Sequence, residues 1–109
     1  IKIDKIELDD NFIIGSYTFH HNQNLLTSSS GIKYKLTTKE NDLLKLFCEN
    51  INSKVERSLA LMKIWGDDSY YNARSMDVYI AKLRKYLRED KKIDLKTIHG
   101  FGFKLLILD

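Results

Sequence analysis

The sequence predicts an α+β domain: a small antiparallel sheet, then three helices, then a closing β-hairpin. Three observations predict it. Short β-prone runs separated by turn residues fill positions 12–35,. Three stretches between residues 37 and 88 space their apolar residues at the 3.6-residue period,. Gly100-Phe101-Gly102 sits between two further β-prone runs at the end,.

The sheet comes first. Residues 1–11 mix charge with Ile and Leu and read as a linker or an edge segment. Phe12-Ile-Ile, Tyr17-Thr-Phe-His, Leu25-Leu-Thr and Ile32-Lys-Tyr-Lys are the strand candidates. Gly15-Ser16, Asn22-Gln-Asn24 and Ser28-Ser-Ser-Gly31 separate them, so three or four antiparallel strands are expected,. So small a sheet needs a partner for its apolar face.

The helices supply that partner. Thr37-Thr-Lys-Glu40 fits a capping box, in which the hydroxyl of Thr37 caps the first turn and Glu40 reaches back,. Leu43, Leu44, Phe47 and Ile51 form the apolar stripe of this first helix, and residues 50–53 end it. Residues 57–65 form a second, shorter helix, offering Leu61, Ile64 and Trp65 to the core. Glu56 is a poor N-cap for it,. Residues 66–72 read as a loop, and a long helix spans about 72–88. Residues 97–108 then read as two strands around the glycine turn, in which a positive φ is expected,. Three helices followed by a hairpin make the winged form of the helix-turn-helix.

The long helix has two faces. Met76, Ile80, Leu83 and Leu87 recur at i, i+4, i+7 and i+11, a core stripe,. The opposite face carries Arg74, Val78, Ala81, Lys82, Lys85 and Arg88. Two small apolar residues inside a basic rim suit a helix lying in the DNA major groove. The rim neutralises phosphates, Val78 can touch a thymine methyl, and Ala81 lets the backbone approach the base edges. A helix packed on both sides within a larger protein would show a similar pattern.

Composition narrows the classes. The chain has 109 residues, 43% of them hydrophobic, which suits one domain with one core,. No apolar run reaches the length of a membrane span, and no signal-peptide pattern is present,. Ile1 in place of Met leads to the expectation of a piece of a longer protein. The single cysteine, Cys48, cannot form a disulfide within the chain, which fits a reducing cytoplasm,. Net charge is only +3, but its distribution is uneven. Residues 73–92 hold seven basic side chains and three acidic ones, a net +4, so the remainder is −1,.

Catalytic and metal readings find little support. His20, His21, His99 and Cys48 lack the spacings of a metal set,. Cys48 reads as a buried small hydrophobe. Asp67-Asp68 lacks the strand context and lysine of a phosphoacceptor. No cofactor and no enzymatic activity are expected.

Four motifs in this order resemble the C-terminal effector domain of OmpR/PhoB-type response regulators. They are Leu36-Thr-Thr-Lys-Glu40-x-x-Leu43-Leu44, Ile64-Trp65-Gly66, the run from Arg74 to Leu87, and Thr97-Ile-His-Gly100-Phe-Gly102-Phe103. The resemblance covers residues 12–107. It implies a four-stranded N-terminal sheet, three helices and a C-terminal wing of about 97–107. It also implies a receiver domain, absent from this chain, that takes phosphate from a sensor kinase. Double-stranded promoter DNA on direct repeats is the implied partner. Homodimerisation would run through the receiver, leaving this fragment monomeric alone. Carried over, the groove-facing positions are Arg74, Val78, Tyr79, Ala81, Lys82 and Arg84. Phosphate or sugar contacts fall on Trp65, Lys85 and Thr97, and wing positions on His99 and Phe103. Asp67, Asp68, Tyr70 and Tyr71 fall in the loop that touches RNA polymerase in some members.

The departures carry information. Ala81 and Tyr79 stand where the family often has Arg or His, so the target sequence should differ. His99 stands where Arg is usual, so the wing should grip DNA more tightly near pH 6, where histidine gains charge. Phe103 stands where Tyr is usual, and Ala60 should loosen packing in the second helix. By helical geometry Arg84 flanks the core and could pair with Asp77, which is read as an internal ion-pair partner, also within reach of Arg57. Trp65 reads as core packing, with a phosphate contact in addition. Two other readings stand beside this one: a membrane-anchored activator carrying the same domain, and a winged-helix protein-interaction module.

Overall fold

The computed structural model describes residues 11–108. The expectation for residues 1–10 lies outside them, and Asn11 opens the first strand. Four strands form an antiparallel meander: β1 (Asn11–Ile14), β2 (Tyr17–His20), β3 (Leu25–Thr27) and β4 (Lys33–Lys35), in that spatial order. Phe12 faces Phe19, and Phe19 faces Leu26. Ile14, Tyr17, Phe19 and Leu26 are fully buried, so one face of the sheet points at the helices,. Where Asn22-Gln-Asn24 was expected to turn, a single 3-10 turn (His21–Gln23) ends on Asn24 at φ +50°. Asn residues tolerate that conformation.

The helices are α1 (Thr38–Cys48), α2 (Arg57–Trp65) and α3 (Tyr70–Leu87). The capping box of α1 is formed as expected. Glu40 N donates to Thr37 Oγ1 at 3.2 Å, and Thr37 N donates to Glu40 Oε1 at 2.8 Å. Glu40 is nearly fully buried, and its other oxygen accepts from the Tyr86 hydroxyl at 3.2 Å. Thr37→Ala is therefore expected to lower folding stability by about 1 kcal/mol, while Thr37→Ser stays near the parent; thermal melts of the two variants check this. Helix α1 stops at Cys48, so Ile51 packs on the core from the following turn rather than from the helix. Burial pushes the Cys48 thiol up to about 12, which keeps it protonated and inert,.

Helix α3 starts two residues earlier than its apolar period suggests. Ser69 Oγ accepts from Asn72 N at 3.3 Å, and Asp67 Oδ1 accepts from Ser69 N at 3.0 Å and Asn72 Nδ2 at 2.6 Å. Tyr70 and Tyr71 thus belong to the first turn of α3 and not to a loop. They are exposed, so they add nothing to the apolar stripe from which the start was read.

The C-terminal sheet is larger than expected. Strands β5 (Lys54–Glu56), β6 (Ile93–Ile98) and β7 (Gly102–Ile107) lie in the order β5-β7-β6. The hairpin begins at Ile93, four residues before the expected start at residue 97, because Leu95 alternates inward between charged neighbours. In β5 only Val55 is buried, opposite Phe103. One inward residue gives no period to detect.

The core lies between the first sheet, the helices and β7. Met76, Ile80, Leu83 and Leu87 are all buried, as the α3 stripe predicts. Ala60 is buried too, against Leu61 and the rest of the cluster. The first sheet grips the C-terminal end of α3. Tyr17 Oη donates to Tyr86 O at 2.6 Å, Tyr34 stacks on Tyr86 at 4.8 Å, and Asp90 accepts from Ser16 N and Oγ. Those bonds, led by the one from the Ser16 side chain, hold the Asp90 carboxyl below its ordinary range.

Candidate nucleic-acid interface

With its apolar stripe buried, α3 turns its other face to solvent. Arg74, Val78, Ala81, Lys82, Lys85 and Arg88 are all exposed. Val78 is 55% exposed at the centre of that face. The carboxylate nearest this face is engaged by a cation. Asp77 Oδ1 accepts from Arg57 Nη2 at 2.8 Å, and the same nitrogen donates to Ala73 O at 3.2 Å. Asp77 therefore pairs with Arg57 and not with Arg84.

Arg84 has other partners. Its Nε donates to Leu95 O at 2.7 Å and its Nη2 to Thr97 Oγ1 at 2.6 Å. Arg84 and Thr97, both expected at DNA, meet each other and fasten α3 to β6. Tyr79 is half-buried between Trp65, at a ring distance of 5.8 Å, and Lys82, whose Nζ lies 5.7 Å from the Tyr79 ring. Trp65 is packed against the core as expected, with Lys39 Nζ 5.6 Å from its ring. Lys39 also donates to Ile64 O at 3.0 Å, which closes the end of α2.

The wing turn joins β6 to β7, with Phe101 N donating to Ile98 O at 3.0 Å and Gly100 at φ +75°. His99 is exposed on it. Phe103 is not a wing-surface residue. It is 3% exposed, in an edge-to-face contact with Phe47 at 6.2 Å, with Arg57 over its ring at 5.6 Å. The exposed aromatic of the wing is Phe101, with Lys54 Nζ 5.6 Å from its ring. Phe101 and Lys54 escaped the sequence reading, since neither lies on a periodic face. A cleft of about 430 Å³ separates the wing from the start of α2, lined by Arg57, Ser58, Thr97, His99 and Phe101 among others.

The residues expected at a polymerase-contact loop divide by role. The bond from Ser69 N, above all, holds the Asp67 carboxyl below its ordinary range, and that carboxyl organises the entry to α3. Tyr70 Oη accepts from Arg74 Nη1 at 2.9 Å. Asp68 and Tyr71 remain exposed. Among the described residues no cluster of His, Cys, Asp and Glu is placed to hold a metal ion, and no helix is long and apolar enough to cross a membrane.

Residues 31–105 match the family described as "Transcriptional regulatory protein, C terminal". The chain belongs to that family. This C-terminal regulatory domain is 50% identical over 93 residues to the transcriptional regulatory protein RprY of Bacteroides fragilis, covering 85% of this chain and 39% of RprY. It is 31% identical over 93 residues to the transcriptional regulatory protein CssR of Bacillus subtilis, covering 85% of this chain and 40% of CssR. The domain thus spans about two fifths of the length of these curated relatives. Among solved structures, the DNA-binding domain of Bacillus subtilis CssR superposes with a TM-score of 0.70 at 30% identity, covering 82% of this chain and 98% of that one. The Klebsiella pneumoniae RstA DNA-binding domain, solved in complex with the RstA box, superposes with a TM-score of 0.73 at 23% identity, covering 88% and 96%. The winged-helix architecture and the resemblance to OmpR/PhoB-type effector domains are borne out.

Proposed function

We propose that this domain binds double-stranded promoter DNA in a sequence-specific manner, with α3 in the major groove and the wing beside it, as the output of a two-component phosphorelay. One observation carries the reading. The solvent face of α3 is apolar at its centre, at Val78 and Ala81, and basic at its rim, at Arg74, Lys82, Lys85 and Arg88, while its flanking carboxylate, Asp77, is paired with Arg57. At the centre of a basic face, an exposed Val78 suits contact with thymine methyls. The rim cations would sit at phosphates, whose contacts orient the helix and make affinity fall with salt. His99 and Phe101 would stand at the neighbouring minor groove. Arg84 and Thr97 would act mainly by fixing the wing to α3.

The rest of the reading concerns the whole regulator: a cytoplasmic, non-enzymatic transcription factor whose N-terminal receiver dimerises it on direct repeats. Asp68 and Tyr71, exposed at the entry to α3, would be available to RNA polymerase. The relatives named as transcriptional regulatory proteins support the transcriptional part of this reading.

An amide chemical-shift titration with a mixed-sequence duplex tests the DNA surface. Shifts confined to residues 74–88 and 97–103, weakening steeply between low and higher salt, are expected. Silence of those residues at low salt would remove α3 from the groove. On a selected cognate site, Arg74→Ala is expected to weaken binding by about 1–3 kcal/mol, the range for one bidentate base contact. Unchanged affinity in a fluorescence-anisotropy titration would take Arg74 out of the readout.

A further inference from the structure

Arg74 does not extend freely into solvent. It lies one helical turn after Tyr70, and residues four apart on a helix are neighbours. Its Nη1 donates to the Tyr70 hydroxyl at 2.9 Å, and its guanidinium carbon lies 5.7 Å from the centre of the same ring. One side chain thus grips the guanidinium twice, by a hydrogen bond and by a cation–π contact. Tyr70 can do so only because α3 begins at Tyr70. The cap formed by Ser69, Asp67 and Asn72 sets that start. Tyr70 itself is 70% exposed, so it contributes little to the core.

We propose that Tyr70 is a positioning residue for base readout, holding Arg74 in one orientation before DNA arrives. The proposal rests on the groove reading of α3. An arginine loses much rotamer freedom when it settles on a base edge, and a partner that restricts it beforehand removes part of that cost. A carboxylate in the same place would also restrict it, but would cancel its charge and compete with the DNA acceptors. Tyrosine is neutral and leaves the charge available. Its hydroxyl engages Nη1 alone, so Nη2 and Nε stay open for a guanine edge or a phosphate,.

The test uses the duplex that the unsubstituted chain selects from random-sequence DNA, together with its full set of single-base substitutions. Arg74→Ala should flatten the preference at the base pair it reads. Tyr70→Ala should flatten the same position by about tenfold, within the range of a single bidentate contact, and Tyr70→Phe by less, because the ring remains. The salt dependence of Tyr70→Ala should match the parent, since no phosphate contact is removed. In the Arg74→Ala background Tyr70→Ala should have no further effect. Loss of the preference in Arg74→Ala but not in Tyr70→Ala overturns the positioning role and leaves the groove reading intact. An equal loss from Tyr70→Ala in both backgrounds also overturns it, because Tyr70 would then act without Arg74. No flattened position in either variant overturns the groove reading together with this proposal.

Discussion

Phe103→Ala is expected to cost about 3–5 kcal/mol of folding stability, the range for a buried aromatic cut to a methyl group. The side chain is 3% exposed, makes an edge-to-face contact with Phe47 and carries Arg57 over its ring. Its loss would leave a cavity where β7 meets α1, and Arg57, which also holds Asp77, would lose its platform. A domain of this size is stable by only about 5–15 kcal/mol, so the variant should melt far below the parent or fail to fold. Phe101→Ala, two residues away and 41% exposed, should fall within about 0.5 kcal/mol of the parent,. Urea titrations of the two variants give the comparison. Equal midpoints would mean that Phe103 faces solvent, as its place in a wing motif suggests.

That contrast shows where the sequence speaks and where it stops. In α3 the stripe of Met76, Ile80, Leu83 and Leu87 repeats over three turns, and a repeat of that length points to one face. The opposite face then follows by geometry, so Val78, Ala81, Lys82 and Lys85 were legible as exposed. The capping box at Thr37 was legible because its two bonds are local. The β-prone runs between turn residues marked β1 to β4 for the same reason.

Contacts between elements were not legible. Arg84 meets Leu95 and Thr97 across eleven and thirteen residues of sequence, and nothing in the local period signals it. Helical geometry offered Asp77 the partner Arg84, with Arg57 on α2 as a second, and packing of α2 against α3 chose Arg57. Strand β5 offers one buried residue, Val55, too few to make a pattern. The start of α3 was not legible in the stripe because its first two residues, Tyr70 and Tyr71, are exposed, although Ser69 and Asn72 stand at capping distance. Reading the cap instead of the stripe would have placed Tyr70 four residues before Arg74 on one helix.

Gly102→Ala is expected to cost about 3 kcal/mol, the upper end for overpacking, and for a reason the turn motif hides. Two glycines flank Phe101, and a glycine turn suggests positive φ at both. Only Gly100 has it, at +75°, with open space around the position of a Cβ. Gly102 already lies in β7, paired with Glu56. A Cβ there would overlap the carbonyl oxygen of Val55 and stand 2.7 Å from Arg57 N. Both obstacles are backbone, so no rotamer relieves them; β7 must part from β5 and from the start of α2. Arg57 N also donates to Phe101 O at 3.0 Å, and that bond would be strained by the same shift. The two sites therefore separate by rescue. Gly100→Asn should be tolerated better than Gly100→Ala, since Asn accepts a left-handed backbone. At position 102 asparagine should be no better than alanine, because the obstacle is space and not φ. Urea midpoints for the four variants decide it, and a Gly102→Ala protein as stable as the parent would mean that β5 does not press on the wing.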